Sequence, residues 1–157
     1  MEEIIIESNL QSNSLNNTHD NKSIEDLIDL TLLNKFEFDI AVLFYKVCKN
    51  EYKTTSKQSK SGATITTWYI LKNEKWEKES KKNILEKIKN VLNNLYENKL
   101  DLLVTELNPI TTDNISNKII FKKIKVAEKI LNILNKLKKE YFIKNIMKES
   151  VELFYSE

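Results

Sequence analysis

Residues 67–76 read TWYILKNEKW and contain both tryptophans of the chain. Aromatic and β-branched residues favour strands, and Asn73-Glu74 supplies a two-residue turn between two of them. Alternation along a strand puts Trp68 on one face and Tyr69 on the other. Across a two-residue turn, Trp76 is predicted to share a face with Tyr69. This stretch therefore predicts a β-hairpin whose aromatic residues lie on two different faces.

Neighbouring segments extend the hairpin into a small sheet. Residues 52–56 and 64–71 are rich in Thr and aromatic residues, a composition typical of strands, and residues 75–78 follow the hairpin turn. A polar turn over residues 57–62 holds the only glycine, Gly62. A two- or three-stranded antiparallel meander of this size needs helices packed on one face to be stable.

The rest of the chain has apolar residues at helical spacing, which predict α-helices. Ser23, with Asp26 three residues further on, is expected to cap the first helix. Asn108-Pro109 is expected to end a long helix that begins near residue 81. Four of the predicted helices cover residues 24–33, 38–48, 81–106 and 142–155. A further helix, between the third and the last of these, is expected to be capped by Thr111, Thr112 or Asp113. It carries an apolar stripe of Ile120, Ile124, Ala127, Leu131, Leu134 and Leu137.

These elements predict an α+β fold that is mostly α, with a small antiparallel β-meander packed against four to five helices. A single domain is expected over residues 23–157, because a chain of 157 residues with 41% hydrophobic content can fill one core. Residues 1–22 are rich in Asn and Ser and are expected to be a flexible tail. The Ile4-Ile5-Ile6 triplet within it could still pair as a short strand.

The composition argues against several classes of enzyme. A single glycine cannot form the P-loop GxxxxGK[ST] or the dinucleotide motif GxGxxG, and one histidine with one cysteine cannot form a usual zinc site. We interpret His19 and the exposed pair Asp26 and Asp29 as solvated, and Cys48 as a reduced thiol in the core. We therefore expect no cofactor, no metal and no catalytic activity. No apolar run or signal sequence predicts a membrane segment, so an intracellular protein is expected.

The basic residues bear on nucleic-acid binding. All 25 are lysine and the net charge is +2, so bidentate arginine contacts to phosphate or guanine are unavailable. One group of lysines lies mostly off the apolar stripe of the fourth predicted helix. A solvated face is the default interpretation of such a group, and contact with a phosphate backbone is the alternative. The group consists of lysines 122, 123, 125, 129, 136, 138 and 139.

The aromatic residues of the hairpin have two interpretations. In the first, one aromatic face packs on the helices and is structural. In the second, the remaining face, flanked by lysines, binds single-stranded DNA, because stacking contributes roughly 1–3 kcal/mol per base. Lys53 is one flanking lysine, and the candidate contact residues are Lys57, Lys60, Trp68, Tyr69, Lys72, Lys75 and Trp76.

Short motifs follow one another along the chain: FDIA at 38–41, KNEY at 49–52, WY at 68–69, KN at 72–73, Trp76, KNIMKE at 144–149 and LFY at 153–155. In this order they resemble the region just ahead of the superfamily 3 helicase domain in the D5-type primase-helicases of large DNA viruses. The resemblance covers about residues 36–155. It implies a non-catalytic connector or collar module, since that family's primase lies upstream of the region and its ATPase downstream.

The resemblance also implies partners and a place of action. It implies contact with a helicase domain or other subunits of a replication complex, with single-stranded DNA, and with further copies of the same chain. The implied location is the host cytoplasm, at the site of viral replication. Three functions stay open at this point: a connector in a viral primase-helicase, a freestanding viral interaction protein that binds a replication partner, and a structural α-rich viral protein.

Overall fold

The structure is a computed structural model that describes residues 21–34, 36–107 and 117–157. These ranges contain five helices and a three-stranded sheet, so the predicted α+β, mostly α fold is confirmed. Residues 1–20 with His19, Pro109 and the cap candidates at 111–113 lie outside the described residues. The elements are α1 (Ile24–Asn34), α2 (Glu37–Cys48), β1 (Tyr52–Gln58), β2 (Thr64–Lys72), β3 (Lys75–Glu79), α3 (Lys81–Leu107), α4 (Asn117–Lys136) and α5 (Glu140–Ser150).

The sheet is an antiparallel meander in the order β1-β2-β3. Asn73 and Glu74 have φ angles of 48° and 63°, the left-handed values that a type I′ hairpin turn requires at both central positions. This turn places Leu71 opposite Trp76, as the sequence predicts. β1 runs two residues further than predicted, to Gln58, because its end stays paired with the start of β2.

The central element is α2, which packs against α1 and α5 and also contacts α3. Its apolar residues surround most of the helix, a pattern that predicts burial on more than one side. Cys48 is fully buried, as predicted, and burial raises the pKa of its thiol to about 11. The buried residues of α2 are Ile40, Ala41, Val42, Leu43, Phe44 and Cys48.

The first helix begins at the predicted capping box. The Asp26 N–H donates to the Ser23 hydroxyl at 3.1 Å, and the Ser23 N–H donates to the Asp26 carboxylate at 3.1 Å. The side-chain and backbone hydrogen bonds from Ser23 hold the pKa of Asp26 below its ordinary value. These bonds satisfy N–H groups that have no partner within the helix.

Polar contacts join α1 to α3. The hydroxyl oxygens of Thr31 and Tyr96 lie 2.6 Å apart, and both side chains are fully buried. Nearer the start of α1, the Lys99 ammonium forms ion pairs with Glu25 and with Asp29, the latter at 3.3 Å. Asp29 is exposed, as predicted, but its carboxylate is paired with Lys99 rather than only solvated.

The last helix is shorter than the sequence predicts. The apolar spacing predicts a helix over residues 142–155, whereas α5 begins at Glu140 and ends at Ser150. The chain then turns and pairs with β1: the Thr54 N–H donates to the Phe154 carbonyl at 2.9 Å, and the Ser156 N–H donates to the Thr54 carbonyl at 3.1 Å. These bonds satisfy edge groups of β1 that a continued helix would leave unpaired.

The residues of α4 that are buried differ from those of the predicted apolar stripe. Ile130 and Ile133, which lie outside the predicted stripe, are buried, while the stripe residues Ile124 and Leu131 are 43% and 48% exposed. Leu137 alone of the stripe is fully buried. α4 packs against α3 and α1, and these contacts bury Ile130 and Ile133 while Ile124 and Leu131 stay exposed.

Candidate functional site

Strand register divides the sheet into two faces. Lys53 pairs with Tyr69, and Tyr69 pairs with Lys78; directly paired residues project to the same side of a sheet. The opposite face, which we call the inner face, carries Trp68 and meets the helical core. The outer face is defined here as Lys53, Thr55, Lys57, Ile65, Thr67, Tyr69, Leu71, Trp76 and Lys78.

Trp68 belongs to the core. Its side chain is only 2% exposed, and its ring lies 5.3 Å from the ring of Phe154, centroid to centroid. Phe154 in turn contacts Phe44 and Tyr45 of α2 at 5.5 and 5.0 Å. The structural interpretation therefore holds for Trp68, and its inclusion among the DNA-contact candidates is wrong, because a buried ring offers no face to a base.

The outer face carries an aromatic pair held by a lysine. Trp76 is 40% exposed and Tyr69 is half-buried. The Lys53 ammonium lies 4.7 Å from the centroid of the Trp76 ring and 5.8 Å from that of Tyr69. Cation–π attraction of this kind contributes about 0.5–1 kcal/mol at exposed sites. It orients the Trp76 ring and brings a positive charge next to it.

Alternation along β3 places its two carboxylates on the face opposite Trp76. Trp76 and Lys78 project outward, whereas Glu77 and Glu79 occupy the opposite register positions. The Glu79 carboxylate accepts hydrogen bonds from the Ser80 N–H and the Asn83 amide, both at 2.8 Å. These bonds hold the pKa of Glu79 below its ordinary value. The outer face thus carries three lysines and no carboxylate, although the whole chain is nearly neutral.

An open cleft of about 270 Å³ adjoins the outer face at the β1 edge. Trp76 and Lys53 of the outer face line it, together with Lys49 and the aromatic side chains of Tyr45 and Tyr155. None of the described residues that line it is acidic. Tyr155 reaches this position because the chain after α5 pairs with β1. The cleft offers aromatic surfaces and positive charge to a planar anionic ligand.

The predicted contact residues are only partly brought together. Lys57, Tyr69 and Trp76 share the outer face, and Lys60 is exposed in the β1–β2 turn. Lys72 and Lys75 pair with each other at the hairpin end, on the inner-face register. Lys72 also lies 3.8 Å from the Glu77 carboxylate, so its charge is partly offset.

Sequence reasoning missed part of the site. Lys78 is absent from the predicted set, although counting two residues on from Trp76 along the strand finds it. Tyr45 and Tyr155 come from distant elements, and their approach to Trp76 depends on the chain leaving α5 at Ser150. No local pattern in the sequence signals that approach.

Two of the α4 lysines form ion pairs, and a third lies over an aromatic ring. Lys123 forms an ion pair with Glu106 at 2.8 Å, and Lys125 lies 3.5 Å from Glu128. Lys136 lies over the Phe142 ring at 5.7 Å. The alternative interpretation of this face as a phosphate-binding surface therefore has fewer available charges than the sequence suggests.

Comparison with protein-family models and with curated protein sequences finds no match to this chain. Within the described ranges, no helix has the length and apolar character needed to cross a membrane. The same part of the chain contains no group of three or more His, Cys, Asp or Glu side chains arranged to hold a metal ion.

Proposed function

We propose that the chain is a non-catalytic connector module of a viral DNA-replication primase-helicase and that it contacts single-stranded DNA through the outer face. The motif order that resembles the D5-type family supports the connector role. The outer face supports the DNA contact: Tyr69 and Trp76 provide stacking surfaces, and Lys53, Lys57 and Lys78 surround them without a carboxylate. The observation that carries the proposal is this combination on one face of the sheet.

The expected binding is weak and depends on salt. Lysines act as point charges on phosphates, and each phosphate neutralised on a single strand contributes about −0.7 to the slope of log affinity against log salt. Three outer-face lysines thus give a slope of about −2. Stacking on Trp76 adds roughly 1–3 kcal/mol without base preference. A ring of subunits would strengthen such contacts by multivalency.

Fluorescence anisotropy with a labelled oligothymidylate at two salt concentrations tests the DNA contact. The double variant Lys53→Gln/Lys78→Gln should weaken binding and make the salt slope shallower by about 1.4, since two phosphate contacts are lost. The matched control Lys81→Gln/Lys122→Gln removes the same charge from exposed positions outside the outer face. Equal loss in both double variants, or tight binding that persists at high salt, would contradict the proposal.

A second function is favoured by exposed apolar side chains on α4. Ile124, Leu131 and Phe121 are 43%, 48% and 59% exposed, and contiguous exposed apolar surface is typical of protein-binding sites. The chain would then bind a helicase subunit, another replication partner or a further copy of itself, as a freestanding viral interaction protein. Sedimentation of the wild type against Ile124→Ser/Leu131→Ser tests self-association, which the double variant should abolish if this surface is the interface.

A further inference from the structure

A second cavity is lined by helices rather than by the sheet, and none of its lining residues belongs to the outer face. It has a volume of about 300 Å³ and is enclosed by α1, α2, α4 and the start of α5. Its floor is apolar and is formed by Leu32, Ile40, Ile133 and Phe142. All four of these side chains are buried within the core yet reach the cavity wall. We call this cavity the α1–α4 pocket.

The rim of the α1–α4 pocket is basic. Lys129, Lys136 and Lys139 line it, and no acidic residue is among its described lining residues. These three ammonium groups form no ion pair with a carboxylate of the described residues. The Lys136 ammonium instead lies 5.7 Å from the centroid of the Phe142 ring. The pocket therefore combines an apolar floor with uncompensated positive charge.

This combination fits an acidic peptide with aliphatic residues better than a nucleotide. The floor is mainly aliphatic, and the one ring that lines it, Phe142, is already covered by Lys136, so a base has little to stack on. Isolated lysines pair well with carboxylates, whereas close phosphate binding generally uses arginine forks or glycine-rich loops. Branched aliphatic side chains would fill the floor while flanking carboxylates met the rim.

We propose that residues 2–7 of the same chain, EEIIIE, bind in the α1–α4 pocket. The segment holds three isoleucines between carboxylates at 2, 3 and 7, and the pocket holds three lysines around an aliphatic floor. Its chemistry is thus complementary to the pocket in both charge and apolar character. The proposal does not depend on DNA binding at the outer face.

The chain length allows this contact. Residues 8–20 can span up to roughly 45 Å when extended. From Ser23 to Leu32, which lines the pocket, α1 rises only about 13 Å. A short tether gives an effective concentration on the order of mM. An intrinsic affinity in the mM range is therefore enough to occupy the pocket.

A spin label on the full chain tests the contact. Ser8→Cys carries the nitroxide, since the native Cys48 is fully buried and does not react. In ¹⁵N spectra, the amide signals of Asn132 and Asn135 at the pocket should broaden, while that of Gly62 in the β1–β2 turn should not. Replacing Ile4, Ile5 and Ile6 by Ser should abolish this broadening.

Charge variants complete the test. Lys129→Glu/Lys136→Glu should remove the broadening at Asn132 and Asn135, whereas Lys81→Glu/Lys122→Glu, with the same charge change outside the pocket, should retain it. The proposal is overturned if the pocket signals stay sharp in the wild type, or if both charge variants behave alike. It is also overturned if the pocket signals broaden equally in a mixture of spin-labelled chains without ¹⁵N and ¹⁵N-labelled chains without the spin label, since the occupant would then be a second copy.

Discussion

Trp68 and Trp76 lie on neighbouring strands of one hairpin, but their contributions to stability are expected to differ because only Trp68 is buried. Trp68 is 2% exposed and packs on Phe154, whereas Trp76 is 40% exposed and contacts Lys53. Truncating a buried Trp costs about 3–5 kcal/mol. Losing an exposed ring with one cation–π contact costs about 1 kcal/mol or less.

Urea denaturation of Trp68→Ala and Trp76→Ala therefore should give very different results. We expect the free energy of unfolding to fall by about 3–5 kcal/mol for Trp68→Ala, enough to unfold many small domains. Trp76→Ala should unfold close to the wild type, as should the surface control Lys57→Ala. Equal destabilisation by the two tryptophan variants would place Trp76 in the core, where its ring could not stack on a base.

Cys48 links stability to alkaline pH. Burial raises the pKa of its thiol from 9.0 to about 11 in the folded chain. Below pH 9 the thiol is protonated in both states, so its contribution to stability is fully present. Between pH 9 and about 11 the unfolded chain ionises first, and stability falls. Thermal unfolding of Cys48→Ala should show a shallower decline across this window than the wild type. Parallel declines would show that the thiol does not titrate differently in the two states.

The hairpin turn that sets the register of β2 and β3 contains backbone strain at Glu74. Glu74 has a φ angle of 63°, a left-handed conformation that costs an L-residue about 1–2 kcal/mol. Glycine adopts it freely but loses about 0.5–1 kcal/mol through its greater freedom when unfolded. We expect Glu74→Gly to stabilise the chain by about 0.5–1 kcal/mol, a rise of roughly 1–4 °C in Tm.

Calorimetry measures the Tm of Glu74→Gly, and two control variants separate the backbone effect from the charge effect. Glu74→Gln removes the charge and keeps the strained conformation, so its Tm should match the wild type. Asn73→Gly should gain less than Glu74→Gly, because Asn tolerates the left-handed region better than other side chains. A gain in Glu74→Gln equal to that in Glu74→Gly would assign the effect to charge rather than to the backbone.

Elements with a strong local signal are the ones that the sequence predicts well. Threonines and aromatics mark the strands, the capping box marks the start of α1, and the long apolar period of α3 brings its predicted span of 81–106 close to the observed Lys81–Leu107. The end of α5 is different. Apolar residues continue at helical spacing beyond Ser150, and no glycine or proline stops the helix. Pairing with β1 and the packing of Phe154 on Trp68 override that local preference.

At the scale of the whole molecule, the candidate site depends on which face of the sheet the helices cover. Alternation correctly places Tyr69 and Trp76 together, but it cannot tell the covered face from the open one. The cleft needs more still, since Tyr45 and Tyr155 reach Trp76 only through tertiary packing. The near-neutral net charge also gives no indication that the outer face is basic, because the carboxylates of β3 lie on the opposite side of the sheet.

Trp76 fluorescence reports directly on the proposed stacking of single-stranded DNA on the outer face. Trp68→Phe keeps an aromatic core residue and leaves Trp76 as the only tryptophan. Titration with an unlabelled oligothymidylate should quench its emission saturably, and added salt should reverse the quenching as phosphate contacts are lost. Tyr69→Ala in the same background should reduce the effect. Unchanged Trp76 emission at oligonucleotide concentrations that saturate anisotropy would show that DNA binds elsewhere and would contradict stacking on the outer face.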